Sequence, residues 1–328
     1  MTELDSSSLP KKSLRINLSK NRYRIWLVSG TLIFLSLLGL ILCWLNPSIR
    51  APLRPGLDFT GGTQIQLERT CSEACEEMNV SYIEKLLAEI SLDPQGNKNA
   101  PNLSQSKVQV LDGSKSLVLK LPFLSAPQGQ QVISTIGESV GPFQKGSQSI
   151  ETIGPSLGGQ LLRSSLISLI VAFTGIALYI SFRYDRSFAL LSLLALAHDL
   201  IIVCGFFAWF GLLVGLEIDS LFAVALLTIA GYSVNDTVVI FDRIREYSYQ
   251  SKGLSDIEKI DSAVSATLTR TIYTSGTTLL PLFALIFFGG STLFWFSIAL
   301  AIGVVVGSWS SIALAPSLLI RMSGKRKN

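Results

Sequence analysis

Along the chain, apolar side chains collect into six long runs separated by short polar breaks, except after the first run, where residues 46–156 intervene. Each run is long enough for a helix to cross a hydrocarbon core of roughly 30 Å, which takes about 20 residues. The spans predicted are 25–45, 160–182, 187–210, 219–241, 263–289 and 291–320. The first could be mistaken for a cleaved leader. Its apolar run is too long for that, and Cys43-Trp44-Leu45-Asn46-Pro47 offers no small-x-small cleavage site, so it reads as an anchor.

Residues 46–156 are patterned differently. Ile65 and Leu67 alternate as a half-buried strand does, and Ile83, Leu86, Leu87 and Ile90 fall on one face of a helix over Val80–Ile90. Val108 and Val110, the turn pair Asp112-Gly113, then Leu117, Leu119 and Leu121 read as a hairpin. A second amphipathic helix over Gln130–Val140 and a strand over Gln148–Ile153 follow. The order β-α-β-β-α-β is the split-βαβ, ferredoxin-like pattern. The fold class predicted is therefore a polytopic α-helical membrane protein with six transmembrane helices and an α+β ferredoxin-like external domain.

Lys and Arg in the short flanks set the orientation. Lys11, Lys12, Arg15, Lys20, Arg22 and Arg24 precede the first span, Arg183 and Arg186 separate the second from the third, and Arg243, Arg245, Lys252 and Lys259 separate the fourth from the fifth. Residues 1–24, the loop 242–262 and the tail 321–328 are accordingly cytoplasmic, and 46–156 lie outside, in a periplasm or lumen. A mean hydropathy of +0.46 and only 15% charged residues exclude an ordinary soluble enzyme. The net charge of +4 sits mostly in the cytoplasmic flanks, and 46–156 hold no basic patch, so nucleic acid is not an expected partner.

Against this apolar background, buried charge is the candidate chemistry. Asp236 is the one ionisable residue of Leu221–Phe241, where an uncompensated carboxylate costs several kcal/mol. It stands six residues before Asp242, about 9 Å inside the cytoplasmic edge. Arg270 lies nine residues beyond Asp261 on the next helix, about 13 Å deep. A carboxyl beside a fixed cation at similar depth on the neighbouring helix can take up and release a proton with small changes in hydration or helix position. Thr267, Thr271, Thr274, Ser275, Thr277 and Thr278 give the same helix a hydroxylated face for water or for neighbouring helices. The competing reading is a snorkelling arginine and a satisfied structural acid. Asp199, beside the single histidine His198, sits about 18 Å deep. It is either part of a proton path or a neutral acid bonded to helix backbone. One histidine provides no imidazole cluster for a metal.

Ala299, Gly303, Gly307 and Ser311 recur every four residues, a small-residue face for close helix contact, and Gly231 is assigned the same role. Pro281 and Pro316 are candidate kinks. Cys71 and Cys75 are a candidate disulfide only if a helical turn brings them together, since in a strand they lie about 13 Å apart.

PGLDFTGGTQIQLE after the first span, ETIGPSLGG before the second, AHD in the third and GYSVNDTVVIFDRIRE in the fourth together resemble the SecF family, the smaller membrane subunit of the SecDF protein-export complex. The resemblance covers essentially the whole chain. It implies half of a resistance-nodulation-division (RND) fold paired with SecD. It further implies use of the proton-motive force to assist late steps of preprotein export with SecYEG, SecA and YajC- or YidC-type subunits. Asp236 and Arg270 stand where the family has the acid and arginine tied to proton transport. Asn235 occupies the position at which SecD carries its own acid. Gly56, Asp58, Phe59, Gly61 and Gly62, then Gly154 and Pro155, and Asp242 with Arg243 fall on the family's motif positions. The CSEAC segment has no counterpart in that pattern. Trp44, Phe59 and Phe123 face either the partner, the preprotein or the core.

The resemblance implies no cofactor, metal or enzymatic activity, with protons as the coupling ion, and a bacterial plasma membrane or an internal energy-converting membrane as the location. Two other classes compete. A self-sufficient RND exporter of small molecules needs two six-helix halves in one chain, and only one is present. An intramembrane aspartyl protease would use Asp199 with Asp236, whose depths differ by about 9 Å. GLDFTGG also lacks the Lys-Ser/Thr of a phosphate loop.

Overall fold

A computed structural model describes residues 18–70, 77–92, 101–111, 114–141, 143–144, 146, 148–250 and 253–325. The turn pair Asp112-Gly113 and the cysteines Cys71 and Cys75 lie outside the described residues. In chain order the first elements are α1 (Leu18–Leu45), α2 (Leu57–Thr60), β1 (Gly62–Glu68), α3 (Val80–Glu89), β2 (Lys107–Leu111), β3 (Ser116–Leu121), α4 (Ala126–Val140) and β4 (Ser149–Ile153). Long helices follow: α5 (Pro155–Arg183), α6 (Arg186–Leu213), α7 (Ser220–Gln250), α8 (Asp256–Phe288) and α9 (Gly290–Trp309). A π turn (Ser310–Leu314) joins α9 to α10 (Ala315–Lys325). Two compact units result, Pro55–Ser165 and the remainder.

Six helices are long and apolar enough to cross a membrane: α1, α5, α6, α7, α8 and the stretch Leu293–Met322. The helices outrun the apolar runs. α1 begins at Leu18 rather than at 25, α5 starts at Pro155, and most of the expected loop 242–262 is helical. Hydropathy registers side chains, whereas the backbone ladder continues into the polar flank wherever caps and side-chain pairs support it. Arg243 pairs with Glu246 on α7, Gln250 bonds Glu246, and Ser255 with Glu258 form a capping box that starts α8. At the same end of the bundle the Asp261 carboxylate accepts from Leu18 N–H and Ser19 Oγ, placing a negative charge at the positive N-terminus of α1.

Small residues set the closest contacts. A Cβ on Gly205 of α6 would fall 2.2 Å from Ser36 Cβ and 2.4 Å from its Cα, so α1 and α6 meet backbone to backbone. Trp209 covers Gly39 one turn away and donates its Nε1 hydrogen to the Leu35 carbonyl at 2.9 Å. We expect Gly205→Ala to cost about 1–3 kcal/mol of stability, read as a lowered unfolding midpoint in detergent. An unchanged midpoint would contradict this packing. The four-residue repeat of α9 likewise faces α7, with Gly303 against Ile229 and Gly307 against Ser233. Gly231 does not share this role, because it is exposed with nothing within 4 Å of an added Cβ. Its place on α7 points away from α9, a distinction that a single glycine cannot signal. α5 is exposed along most of its length and joins the core at Ile180, next to Tyr184. Burial and then the Asp242 carboxylate push the Tyr184 phenol up to about 12, so it stays neutral.

The smaller unit is a four-stranded antiparallel sheet in the order β2-β3-β1-β4. Ile65, Leu67, Leu117, Leu119 and Val108 form one apolar face, covered by Ile83 and Leu87 of α3 and by Val132 and Ile136 of α4. The two glycine motifs meet beside it. Gly61 and Gly62 have φ of 69° and 133°, a Cβ on Gly61 would fall 2.9 Å from Pro155 Cα, and one on Gly62 would fall 2.7 Å from the Leu121 carbonyl. Only glycine fits this junction of β1, β3 and the start of α5. Gly56 caps α2, Asp58 lies in its first turn, and a Cβ on Gly154 would fall 4.0 Å from the Phe123 ring. Phe59 is buried, so of the three aromatics considered for an outward role only Trp44 and Phe123 are exposed.

Candidate functional site

α7 packs against α6, α8 and α9, of which α8 and α9 also meet each other, and its sequence places polar residues on the turns facing them. Asp236 is 4% exposed, and its Oδ2 finds no hydrogen-bond partner among the described residues. Ser308 of α9 and Arg270 of α8 are the groups that act on its carboxylate. Arg270 itself is exposed, and no salt bridge joins it to Asp236 among the described residues. The face-to-face buried pair expected from helix depth is thus a buried acid with an outward guanidinium beside it. Depth fixes the level of a residue along the bundle, but its azimuth follows from packing. Asn235 is exposed on the same turn as Asp236.

Between α7 and α8 lies a cleft of about 400 Å³, lined by Val239, Asp242, Arg243 and Glu246 on one side and by Thr267 and Arg270 on the other. Asp236, Val239, Arg243 and Glu246 are spaced i, i+3, i+7, i+10, one face of a helix. The acid therefore lies on the same face of α7 as Arg243 and Glu246, with Val239 between. Asp242 itself pairs with Arg183 at 3.5 Å.

Asp199 is fully buried one layer away. Its Oδ2 accepts from Ser233 Oγ at 2.6 Å and Ser310 Oγ at 2.7 Å, and its Oδ1 is 2.8 Å from His198 Nδ1. Its partners are side chains, not the helix backbone that one sequence reading offered. Ser311 and Thr237 share a bond of 2.7 Å, and Ser275 links Ser308 at 2.6 Å and Tyr232 at 3.0 Å. Ser275 and Ser311 stand on helix-contact faces read from the sequence, whereas Ser233, Ser308 and Ser310 escaped that reading. The π turn accounts for that: with Pro316 unable to donate, Ala315 N–H bonds the Ser310 carbonyl, and the widened turn presents both Ser310 and Ser311 to the interior. The threonines of α8 behave otherwise than expected. Thr267, Thr271, Thr274, Thr277 and Thr278 donate to carbonyls of their own helix, leaving Ser275 to reach its neighbours.

Comparison with known proteins now decides the family. Residues 132–325 match the model described as protein export membrane protein SecD/SecF, C-terminal, and residues 50–73 match the SecD/SecF GG motif. The chain is 56% identical over 303 residues to the protein translocase subunit SecF of Prochlorococcus marinus, covering 92% of this chain and 94% of that one. It belongs to the SecF family. The SecF of Synechocystis is 39% identical over 93% of each chain. The crystal structure of SecDF, a translocon-associated membrane protein from Thermus thermophilus, superposes with a TM-score of 0.75 at 30% identity. That match covers 94% of this chain and 39% of the longer SecDF chain. The chain is thus a SecF-type subunit of the protein translocase and a membrane protein, and its relatives are named as translocase subunits. The glycine junction described above is where the GG motif falls.

Proposed function

We propose that this SecF-type subunit works with a SecD partner to convert proton movement through its helix bundle into late steps of preprotein export. Asp236 carries the argument: a carboxylate buried in a candidate span, with an oxygen lacking a hydrogen-bond partner among the described residues, one helical turn before the first residue of the cleft between α7 and α8. In this reading Asp236 binds and releases the proton, Arg270 compensates its charge when ionised, and an acid of the partner faces the exposed Asn235 and Arg270. Protons are the coupling ion, and no cofactor is involved. A proton shifts helix packing only by binding one arrangement better than the other. About 2.3 kcal/mol per charge is available for each 100 mV, so a large stroke takes several protons.

Pro55–Ser165 is read as a ferredoxin-like domain outside the plasma membrane, or in the lumen of an internal energy-converting membrane. Its strand order, with helices following β1 and β3, supports that reading. β4 ends at Ile153 and α5 begins at Pro155, so helix shifts have a direct covalent route to the sheet. The basic flanks support cytoplasmic termini. SecYEG, SecA and YajC- or YidC-type subunits are the partners this role requires. The pairing of a SecDF relative's two parts in one longer chain supports SecD as the obligate companion. Affinity purification in mild detergent tests it. A SecD-like chain should co-elute in a fixed ratio, and elution of this chain alone would overturn the reading.

A further inference from the structure

We propose that Asp199 is a second proton-binding carboxylate, in series with Asp236, held by a serine switch at the π turn that fits it in both protonation states. This rests on the proton-driven reading above and extends it to a residue outside the Asp236–Arg270 pair.

The first ground is charge. Asp199 is fully buried, and its one ion-pair partner among the described residues is its neighbour His198. The helices around it bring no fixed counter-charge to its level. α9 and the π turn carry no charged residue, α1 is charged only at Lys20, Arg22 and Arg24, and α10 only at Arg321 and Lys325. On α7 the facing residue is Ser233, and the nearest charged one is Asp236, itself an acid. A carboxylate so deep without a lysine or arginine must be neutralised at some stage by a proton.

The second ground is that the hydrogen bonds reverse without loss. Ser310 has one proton and two acceptors, Asp199 Oδ2 at 2.7 Å and the Gly307 carbonyl at 3.0 Å. With Asp199 ionised, Ser310 donates to it. With the proton on Oδ2, the acid O–H donates to Ser310 Oγ, and the serine proton turns to Gly307. Neither state leaves a group unmatched.

The third ground is His198 Nε2, buried and without a partner among the described residues. A proton arriving there forms an N–H bond at Nε2, the Nδ1–H bond breaks, and an O–H bond forms at Asp199 Oδ1 2.8 Å away, from where a turn of the carboxyl about its Cβ–Cγ bond brings the O–H to the serine side. Ring and acid both end neutral, and the charges balance. On the other side, Ser233, which bonds Asp199, lies three residues before Asp236, a rise of about 4.5 Å along α7.

The test is infrared difference spectroscopy, between acidic and neutral pH, of the purified chain with its co-eluting partner in proteoliposomes, alongside proton flux. Wild type should show two buried carboxyl C=O bands. Asp199→Asn should lose one and Asp236→Asn the other, and each should lower flux to background. Ser310→Ala keeps the carboxyl and should shift the Asp199 band, which covers the case of a poorly folding Asp199→Asn. An unchanged spectrum in Asp199→Asn, or an unshifted band in Ser310→Ala, would overturn this proposal while leaving Asp236 in place. Normal flux in Asp236→Asn would instead overturn the proton-driven reading beneath it.

Discussion

Replacing Asp236 with asparagine should reduce gradient-stimulated export to the level seen without a gradient, while insertion and abundance stay normal. The amide is nearly isosteric, and the site is 4% exposed, so packing against α8 and α9 is preserved. What disappears is the ability to take up and release a proton. Stability should hold or rise, because the amide removes a buried carboxylate that lacks a salt bridge. Protease protection of a preprotein imported into inverted vesicles, with and without an uncoupler, reads both rates. Wild-type export in the mutant, still sensitive to the uncoupler, would remove Asp236 from the mechanism.

Arg270→Ala should be equally severe for a different physical reason. The guanidinium is exposed on α8 and is not part of the core, so its removal opens no cavity. A charge at the centre of a span costs about 2.5–3.5 kcal/mol on insertion scales, so alanine should leave the helix better inserted, not worse. Loss of gradient-stimulated export together with equal or higher stability is therefore the expected signature. Arg270→Lys should retain part of the activity, since the charge remains but the planar fork does not. A silent Arg270→Ala would show that the arginine only snorkels to the interface.

Much of this architecture is written in the sequence, because the bilayer imposes a coarse rule. The charge-free run after Arg24 and the isolated Asp236 leave few alternatives to spans and a buried acid. The alternation at Ile65 and Leu67, and at Leu117, Leu119 and Leu121, places those strands with one face on the core. Azimuth is harder to read. Arg270 and Asp236 match in level along the bundle, yet one is buried and the other points outward, a choice made by the packing of α7 against α9. Gly231 and Gly205 look alike in sequence, yet only Gly205 meets another backbone. The π turn was legible only as Pro316. Its consequence, two consecutive serines turned inward toward Asp199 and Thr237, depends on a hydrogen-bond pattern that side-chain periodicity does not encode.

Proton flux through the reconstituted pair of subunits tests the central claim most directly. Proteoliposomes carrying a trapped pH-sensitive dye are energised by a potassium diffusion potential, and acidification is followed for wild type and Asp236→Asn. Wild type should acidify the lumen well above protein-free vesicles, and Asp236→Asn should match the protein-free control. Equal acidification by both proteins would mean that the buried carboxylate of α7 carries no protons.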